Sequence, residues 1–308
     1  ARIVMKIGML LYDVLSYDKT LPGHKYFSRN QVSEMEPSLM SECLRGVYRY
    51  YDCQVPYSER LCLENIISAT EHGAVALNHT EVIRLLRDGN SVSGVVAKDL
   101  ISGREYIINS RMVVNAAGPW MDLIYRMADG QAEHLLRRTK GVHLLTRKLT
   151  NNAVVLFAIS DGRLVFVIPW QDYSLIGTTD TDYSQDNDSV HADKDDVNYL
   201  LREVRHLFPT LDEKDVFFTY AGLRALPESG SRRPSAVSRA RKLIDHERTG
   251  KLSGIISVLG GKITGYRVIA EEVTDLVCKR LKVRATCATA STASDRFSQG
   301  TVSPSGAT

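Results

Sequence analysis

The chain has 308 residues, of which 44% are hydrophobic and 24% are charged, and its formal net charge is +3. This length is enough for one large domain, or two smaller ones, with a substantial buried core. So mild a charge gives no argument for nucleic-acid binding. The five cysteines form no CxxC pair and have no metal-ligand spacing with histidine. We therefore expect reduced thiols, a cytosolic setting and no metal site.

Membrane-spanning segments are not predicted. No apolar run reaches the ~18 residues that a transmembrane helix needs, and the start of the chain shows no signal-peptide pattern. Any contact with a membrane is therefore expected at its surface.

The first part of the chain predicts helices followed by a β-meander. Residues 1–50 look helical at first, with an amphipathic pattern over residues 3–15, a break at residues 22–24 and a second short helical piece around residues 31–35. Residues 58–72 predict a helix that ends at Gly73. The pattern then becomes strand-like, with short apolar runs at residues 74–77, 82–86, 92–98 and 106–108. Turn residues at 88–90 and 102–104 separate the last three runs and predict a three-stranded meander.

The later part predicts an antiparallel sheet and then a strand–helix unit. Strands are expected over residues 141–145, 154–158, 164–168, 174–178 and 216–226. A buried strand over residues 255–259 leads into a helix that ends near Leu281. The tail from Arg284 is rich in Ser, Thr, Ala and Gly, so we expect it to be mobile.

Two glycine turns are candidates for ligand contact. The sequence VVNAAGPW over residues 113–120 predicts a strand, a turn at Gly118 and a helix, which fits either an ordinary turn or a nucleotide contact. The sequence GGKITGYR over residues 260–267 places Lys262 and Thr264 in a first helical turn. Lysine is electrostatically disfavoured there unless an anion lies nearby. We therefore interpret this turn as one that holds a phosphate, rather than a loop with a solvated lysine.

Cationic and protic side chains at strand ends are the third candidate: His143, Arg224 and Arg239. A single histidine in a strand is more often a buried side chain whose hydrogen bonds are satisfied than a catalytic group. Arg224 lies between two apolar residues, so a partly buried guanidinium there needs a carboxylate or a phosphate as partner. The spacing does not choose between the two.

On the basis of these residues and the motifs given below, the chain resembles the FAD-dependent glycerol-3-phosphate dehydrogenases. These belong to the wider class of D-amino-acid-oxidase-like and glutathione-reductase-like flavoproteins. The resemblance covers residues 6–282 and rests on motifs in matching order and spacing. They are LLYD at 10–13, YYD at 50–52, the run 113–122, KGVH at 140–143, FVIPW at 166–170, IGTTD at 176–180, GLR at 222–224 and the run 260–267.

The resemblance implies an α/β fold with an α+β cap. An incomplete Rossmann-like FAD-binding domain would carry the β-meander, and a substrate-cap domain would be built on an antiparallel sheet. It implies FAD-binding portions at residues 51–124 and 250–283, a cap at 125–249, a helical segment at 1–50 that bridges both, and a flexible tail at 284–308.

The resemblance also implies an activity. This is oxidation of sn-glycerol 3-phosphate to dihydroxyacetone phosphate, with hydride passing from C2 to the flavin. Electrons would pass on to a quinone or to partner electron-transfer subunits. A cytoplasmic protein, with or without peripheral association with the cytoplasmic face of a membrane, fits this activity.

Residue by residue, the resemblance makes His143, Arg224 and Lys262 catalytic and places His143, Arg224 and Arg239 on the substrate. The implied FAD contacts are Val82, Ala117, Gly118, Trp120, Gly260, Gly261, Lys262, Ile263 and Thr264. His143 is the natural base for the 2-hydroxyl proton, Arg224 can grip a phosphate or a developing ketone oxygen, and Lys262 can stabilise a reduced flavin. Whether His143, Lys262 or a water is the base stays open.

The sequence departs from the family in two places. The glycine-rich GxGxxG loop does not occur, so we expect the sequence to lack an N-terminal segment carrying that loop and a phosphate-binding arginine. Much of the FAD site would then be missing. Where the family often has Asp-Asp-Ala-Arg, residues 56–60 read PYSER, which weakens any inherited role for acidic residues there.

Three alternatives follow. A glycerophosphate oxidase would use oxygen, but such enzymes tend to carry an insertion in the cap that this sequence lacks. An amine or amino-acid oxidase is disfavoured by the segments 166–170 and 260–267. A flavin-free, inactive substrate-domain module is the third.

Overall fold

The structure is a computed structural model that describes residues 2–17, 20–39, 44–128, 134–228, 241–250 and 252–291. The chain divides into two compact units. The first comprises Ala1–Pro56, Arg137–Ala225 and Ser229–Val237. The second comprises Tyr57–Leu136, Leu226–Glu228 and Ser238–Thr308. Within the ranges described, no helix has the length and apolar content to cross a membrane.

Helices and strands alternate along the described chain. The elements up to residue 128 are α1 (Arg2–Leu15), β1 (Lys25–Ser28), α2 (Arg29–Met35), β2 (Gly46–Arg49), α3 (Ser58–Glu71), β3 (Thr80–Asp88), β4 (Ser91–Asp99), β5 (Glu105–Asn109), β6 (Val113–Asn115) and α4 (Met121–Ala128). Those that follow are β7 (Leu136–Arg147), β8 (Val154–Phe157), β9 (Leu164–Trp170), β10 (Tyr173–Gly177), β11 (Thr181–Asp182), α5 (Lys194–Arg205), β12 (Val216–Pro227), β13 (Lys242–Asp245), β14 (Ile255–Leu259) and α6 (Tyr266–Leu281).

The first unit is built on a six-stranded sheet in which the 12-residue strand β7 pairs with β10, β11 and β12. β10 and β11 follow one another along one edge of β7, with Gly177 opposite His143 and Thr181 opposite Lys140. β12 also pairs with β7, on the remaining edge. The short break between β10 and β11 therefore lies beside Gly141.

One face of this sheet is covered by α5. The alternating residues Val142, Leu144, Val165, Val167 and Ile176 are buried in one cluster with Leu200, Leu201 and Val204 of the helix. The side chain of Asp193 caps α5 by accepting a hydrogen bond from the Asp196 N–H, as expected for an N-cap aspartate. Because side chains alternate along a strand, Gly141 and His143 lie on the other face of the sheet.

Lys140 belongs to the helix-covered face and has a structural role. Its Nζ lies 2.6 Å from the Asp193 Oδ2 and 2.6 Å from the Asp196 Oδ2. Burial by itself lowers the pKa of Lys140, but the hydrogen bonds to these two carboxylates raise it overall. Lys140 therefore ties β7 to the start of α5.

The second unit contains two three-stranded sheets. β3, β4 and β5 form an antiparallel meander, and β13, β14 and β6 form the other sheet. β14 runs parallel to β6, with Ile255 opposite Val113. A small core of Leu85, Val92, Ala128, Leu252 and Ile255 joins the meander to α4 and β14.

The structure confirms the predicted meander, the antiparallel sheet, the two strand–glycine–helix units and the two helical pieces at the start of the chain, which are α1 and α2. The strand predicted over residues 74–77 is wrong: that segment is irregular, with Val75 84% exposed, and no strand among the described residues pairs with it. Residues 1–50 are not wholly helical, because β1 and β2 pair there, with Lys25 opposite Arg49. These two strands and β13 were not predicted. The tail prediction beyond residue 291 lies outside the described residues.

Candidate active site

His143 lies on the face of the first unit's sheet opposite α5, between two neighbouring strands. Its imidazole stacks on the ring of Tyr220 from β12, with ring centroids 5.0 Å apart and an interplanar angle of 11°. On the β10 side it lies against Gly177, where an added Cβ would fall 2.7 Å from both Cγ and Nε2 of the imidazole. The ring is therefore held between a glycine and an aromatic side chain.

The electrostatic environment keeps His143 neutral. Burial of the imidazole, and then the positive charge of Arg224, lower the pKa of His143 to about 4. Both causes act on the charged form, one by withholding water and the other by repulsion. At neutral pH the ring therefore has a lone pair available to accept a proton.

Arg224 lies on β12, and its side chain reaches across β7. Its Nη1 donates to the Asp180 Oδ1 at 3.2 Å, and its Nη2 donates to the Thr178 Oγ1 at 2.8 Å and to the Thr179 carbonyl at 3.1 Å. The guanidinium covers Gly141, where an added Cβ would fall 2.6 Å from Cζ. The carboxylate partner that the sequence left open is therefore Asp180.

If His143 is a reacting group, Gly177→Ala is expected to lower kcat/KM by about 10- to 100-fold, because displacing such a group by ~1 Å can cost that much. The added methyl group would overlap the imidazole, so His143 must turn away from its position. Steady-state kinetics and thermal melting of the purified protein measure the effect. Gly8→Ala is the control, since a methyl group there meets open space. An unchanged kcat/KM in Gly177→Ala would show that the position of His143 is unimportant.

A groove of about 470 Å³ lies in the second unit, beside the ends of β6 and β14. Its lining residues are Val114, Ala116, Val258, Gly260, Gly261, Lys262, Ile263, Tyr266, Ile269, Ala270, Val273 and Thr274. Lys262 brings a positive charge to this groove, and none of these lining residues carries a negative one. An apolar cleft at the carboxyl ends of parallel strands is where dinucleotides bind in open α/β sheets.

Glycines with positive φ shape both turns at the strand ends. Gly118 has φ 54°, and Gly260 and Gly261 have φ 63° and 95°. These are conformations that other residues rarely adopt. A Cβ at Gly118 would meet no atom within 4 Å, so the backbone there is open to a ligand, whereas Gly261 lets Ile269 of α6 pack closely.

The predicted cofactor residues are brought together only in part. Gly260, Gly261, Lys262 and Ile263 line the groove. Ala117, Gly118 and Trp120 form the turn after β6, and Thr264 lies in the turn before α6. Val82 lies on β3 of the meander, opposite Ala97, and does not line the groove.

The described part of the predicted substrate site lies in the first unit. His143 and Arg224 are neighbours on one sheet face, and Arg239 lies outside the described residues. Sequence reasoning missed Tyr220 and Asp180 as neighbours of His143 and Arg224. The sequence places Tyr220 four residues before Arg224 in one predicted strand. This spacing puts both side chains on the same face of the sheet and could have identified Tyr220 as a neighbour.

Parallel strands that end in glycine turns, together with an antiparallel sheet that presents a histidine and an arginine, fit an oxidoreductase that binds a dinucleotide cofactor. The chain belongs to the DAO family of FAD dependent oxidoreductases, which matches residues 11–267. It is similar to a glycerol-3-phosphate dehydrogenase of Synechocystis sp., with 36% identity over 293 residues, covering 90% of this chain and 53% of the relative. It is also similar to the aerobic glycerol-3-phosphate dehydrogenase of Staphylococcus haemolyticus, with 34% identity, covering 91% of this chain and 50% of that one.

Solved structures support the same fold, and one of them supports the same family. The glycerol-3-phosphate dehydrogenase from Bacillus halodurans, complexed with FAD, superposes with a TM-score of 0.72 and 37% identity, covering 86% of this chain and 51% of that chain. The glycine oxidase from Bacillus cereus superposes with a TM-score of 0.60 at 22% identity, covering 84% of this chain and 64% of that chain, and supports the fold alone. The chain thus spans about half the length of the curated relatives it matches.

The residues present fit a bound FAD. The groove has an apolar wall, a lysine and glycine turns at the ends of two parallel strands. The 3-10 turn over Gly118–Trp120 leads directly into α4, and such helix starts favour phosphate groups.

Proposed function

We propose that the protein carrying this chain oxidises sn-glycerol 3-phosphate to dihydroxyacetone phosphate with FAD as cofactor. The observation that carries the proposal is a neutral His143 beside a fixed Arg224 on one face of the sheet. The pair combines a proton acceptor with a cation for a phosphorylated substrate. The names of the relatives at 34–37% identity point to the same reaction.

The oxidation removes one proton and one hydride from the substrate. As the C2–H bond breaks, the proton of the 2-hydroxyl passes to the imidazole of His143, and a C2=O double bond forms. Arg224 holds the phosphate, or the oxygen that becomes the ketone, with its planar N–H groups. Bound FAD would supply the acceptor for the hydride.

Other residues are assigned to the cofactor. Gly118, Gly260 and Gly261 would present backbone to FAD, with Ala117, Trp120, Ile263 and Thr264 beside them and Val82 contributing backbone to the adenine. Lys262 would stabilise negative charge on the reduced ring. Arg239 is proposed as a further substrate cation.

The electron acceptor is proposed to be a quinone, reached directly or through partner electron-transfer subunits. This rests on the resemblance to dehydrogenases of this kind. A cytoplasmic location, with peripheral association at the cytoplasmic face of the membrane, is proposed on the same ground.

Steady-state turnover with an artificial dye acceptor tests the reaction. We expect glycerol 3-phosphate to give dihydroxyacetone phosphate in an amount equal to the dye reduced, while glycine and proline give no dye reduction. Turnover with oxygen in place of the dye, at a similar rate, would instead assign a glycerophosphate oxidase. Reduction by amino acids and not by glycerol 3-phosphate would overturn the proposal.

A further inference from the structure

The position of Arg224 depends on an interruption in the neighbouring strand pair. β10 ends at Gly177 and β11 begins at Thr181, so residues 178–180 leave the regular ladder beside β7. Arg224 starts on the opposite edge of β7 and passes over Gly141 to reach them. Its two terminal nitrogens contact different groups in that break, one on Asp180 and the other on Thr178 and Thr179.

Asp180 is the charged partner in this arrangement and is itself well buried. Its side chain is 4% exposed, whereas that of Arg224 is 21% exposed. The backbone at Asp180 is held independently, because Arg163 Nη1 donates to its carbonyl at 2.9 Å. A buried carboxylate on a fixed backbone holds the plane of the guanidinium in one orientation. A guanidinium whose orientation is fixed before binding loses less conformational entropy when it binds an anion.

We propose that Asp180 is a positioning residue for substrate: it orients Arg224 flat over Gly141, so that the guanidinium meets the phosphorylated substrate in a single orientation. This inference rests on the proposed function of Arg224. It assigns Asp180 no contact with the substrate, and its effect is exerted through Arg224 alone.

A double-mutant cycle on the flavin-loaded protein tests this role. Asp180→Ala is expected to raise KM for glycerol 3-phosphate by about 10- to 100-fold with a smaller change in kcat, since hydrogen bonds to charged groups are worth that much. In an Arg224→Ala background the same change is expected to alter KM by less than about threefold, because coupled residues are not additive. An equal effect in both backgrounds, or no effect in either, would overturn the proposal.

Two further variants control for folding and for charge. Asp180→Asn keeps an oxygen acceptor in the same place, so KM is expected to lie between those of the wild type and Asp180→Ala even where the alanine variant is unstable. Asp182→Ala removes a nearby carboxylate that pairs with Arg137 at 2.6 Å, and KM is expected to stay within about twofold. An Asp182→Ala effect as large as that of Asp180→Ala would mean that charge near the sheet edge matters, and not the orientation of Arg224.

A second readout does not require turnover. In the wild type, ¹⁵N NMR of the guanidinium should give separate signals for Nη1 and Nη2 of Arg224, because they are held by different partners. In Asp180→Ala these signals should merge through rotation about the Nε–Cζ bond. Separate signals in both proteins would overturn the positioning role alone, whereas a wild type that never reacts with glycerol 3-phosphate would overturn the proposed function alone.

Discussion

Asparagine in place of His143 is expected to lower kcat for glycerol 3-phosphate oxidation by about 10²- to 10⁴-fold, the usual contribution of a general base. The substitution removes the proton acceptor, while Arg224 and its partners remain in place. KM should change much less than kcat, and flavin content should not change. Rapid-mixing measurement of flavin reduction under anaerobic conditions gives the rate of the chemical step directly.

His191→Asn is the matched control for this experiment. His191 is exposed, and its Nδ1 lies 2.8 Å from the Ser189 carbonyl, so it has no part in the site. Its rate should equal that of the wild type. A reduction rate in His143→Asn within about threefold of the wild type would exclude His143 as the base and leave Lys262 or a water.

The pH dependence follows from the same residue. Because the pKa of His143 is about 4 in the folded protein, kcat/KM corrected for the second ionisation of the substrate phosphate, at about pH 6, should be flat from neutral pH down to about pH 5 and fall below it. Since the folded pKa is below the usual value of about 6.5, the unfolded chain binds more protons between these pH values. Stability from this group is therefore complete above about pH 6.5 and is lost as the pH falls toward 4, and His143→Asn should remove that part of the dependence. A kcat/KM limb near pH 6.5 that is lost in His143→Asn, and so does not come from the substrate phosphate, would contradict the buried, Arg224-facing position of the ring.

Alanine in place of Arg224 is expected to lower kcat/KM by about 10²- to 10³-fold, mainly through KM. The guanidinium is the cation that the sheet presents beside His143, and truncating one partner of a buried charge pair commonly costs 2–5 kcal/mol. Flavin content should stay near that of the wild type. Arg224→Lys keeps the charge without the planar fork, so it should recover only part of the loss.

Arg137→Ala is the control that distinguishes the specific loss of Arg224 from the loss of any arginine on this sheet. Arg137 lies on the same strand as His143 and pairs with Asp182, with Nε 2.6 Å from the Asp182 Oδ1. Its replacement should change kcat/KM by less than about threefold. If Arg224→Ala lost flavin and substrate affinity to the same extent, Arg224 would be a structural arginine.

Local sequence patterns were sufficient for the elements whose partners are near in the chain. The meander strands β3, β4 and β5 are joined by short turns, so alternation and turn residues predicted them. β1 and β2 are separated by residues 29–45, and that pairing has no local signal. The run at residues 74–77 is as apolar as a strand but has no partner among the described strands, and an unpaired strand is not stable in water.

The candidate site shows the same limit. The residue types of His143 and Arg224 pointed to base and anion chemistry, but their neighbours come from strands far apart in sequence. Gly141 and Gly177 look like ordinary strand glycines until Arg224 and His143 are seen to cover them. That relation depends on the pairing of β7 with both β10 and β12, which no local pattern encodes.

The most direct test of the proposed oxidation is the visible absorbance of the flavin-loaded protein during anaerobic addition of glycerol 3-phosphate. We predict that the flavin band bleaches, with one dihydroxyacetone phosphate formed per flavin reduced, and that Arg224→Ala needs far more substrate for the same bleaching. A flavin-loaded protein whose spectrum does not change with glycerol 3-phosphate, while dithionite still reduces it, would contradict the account.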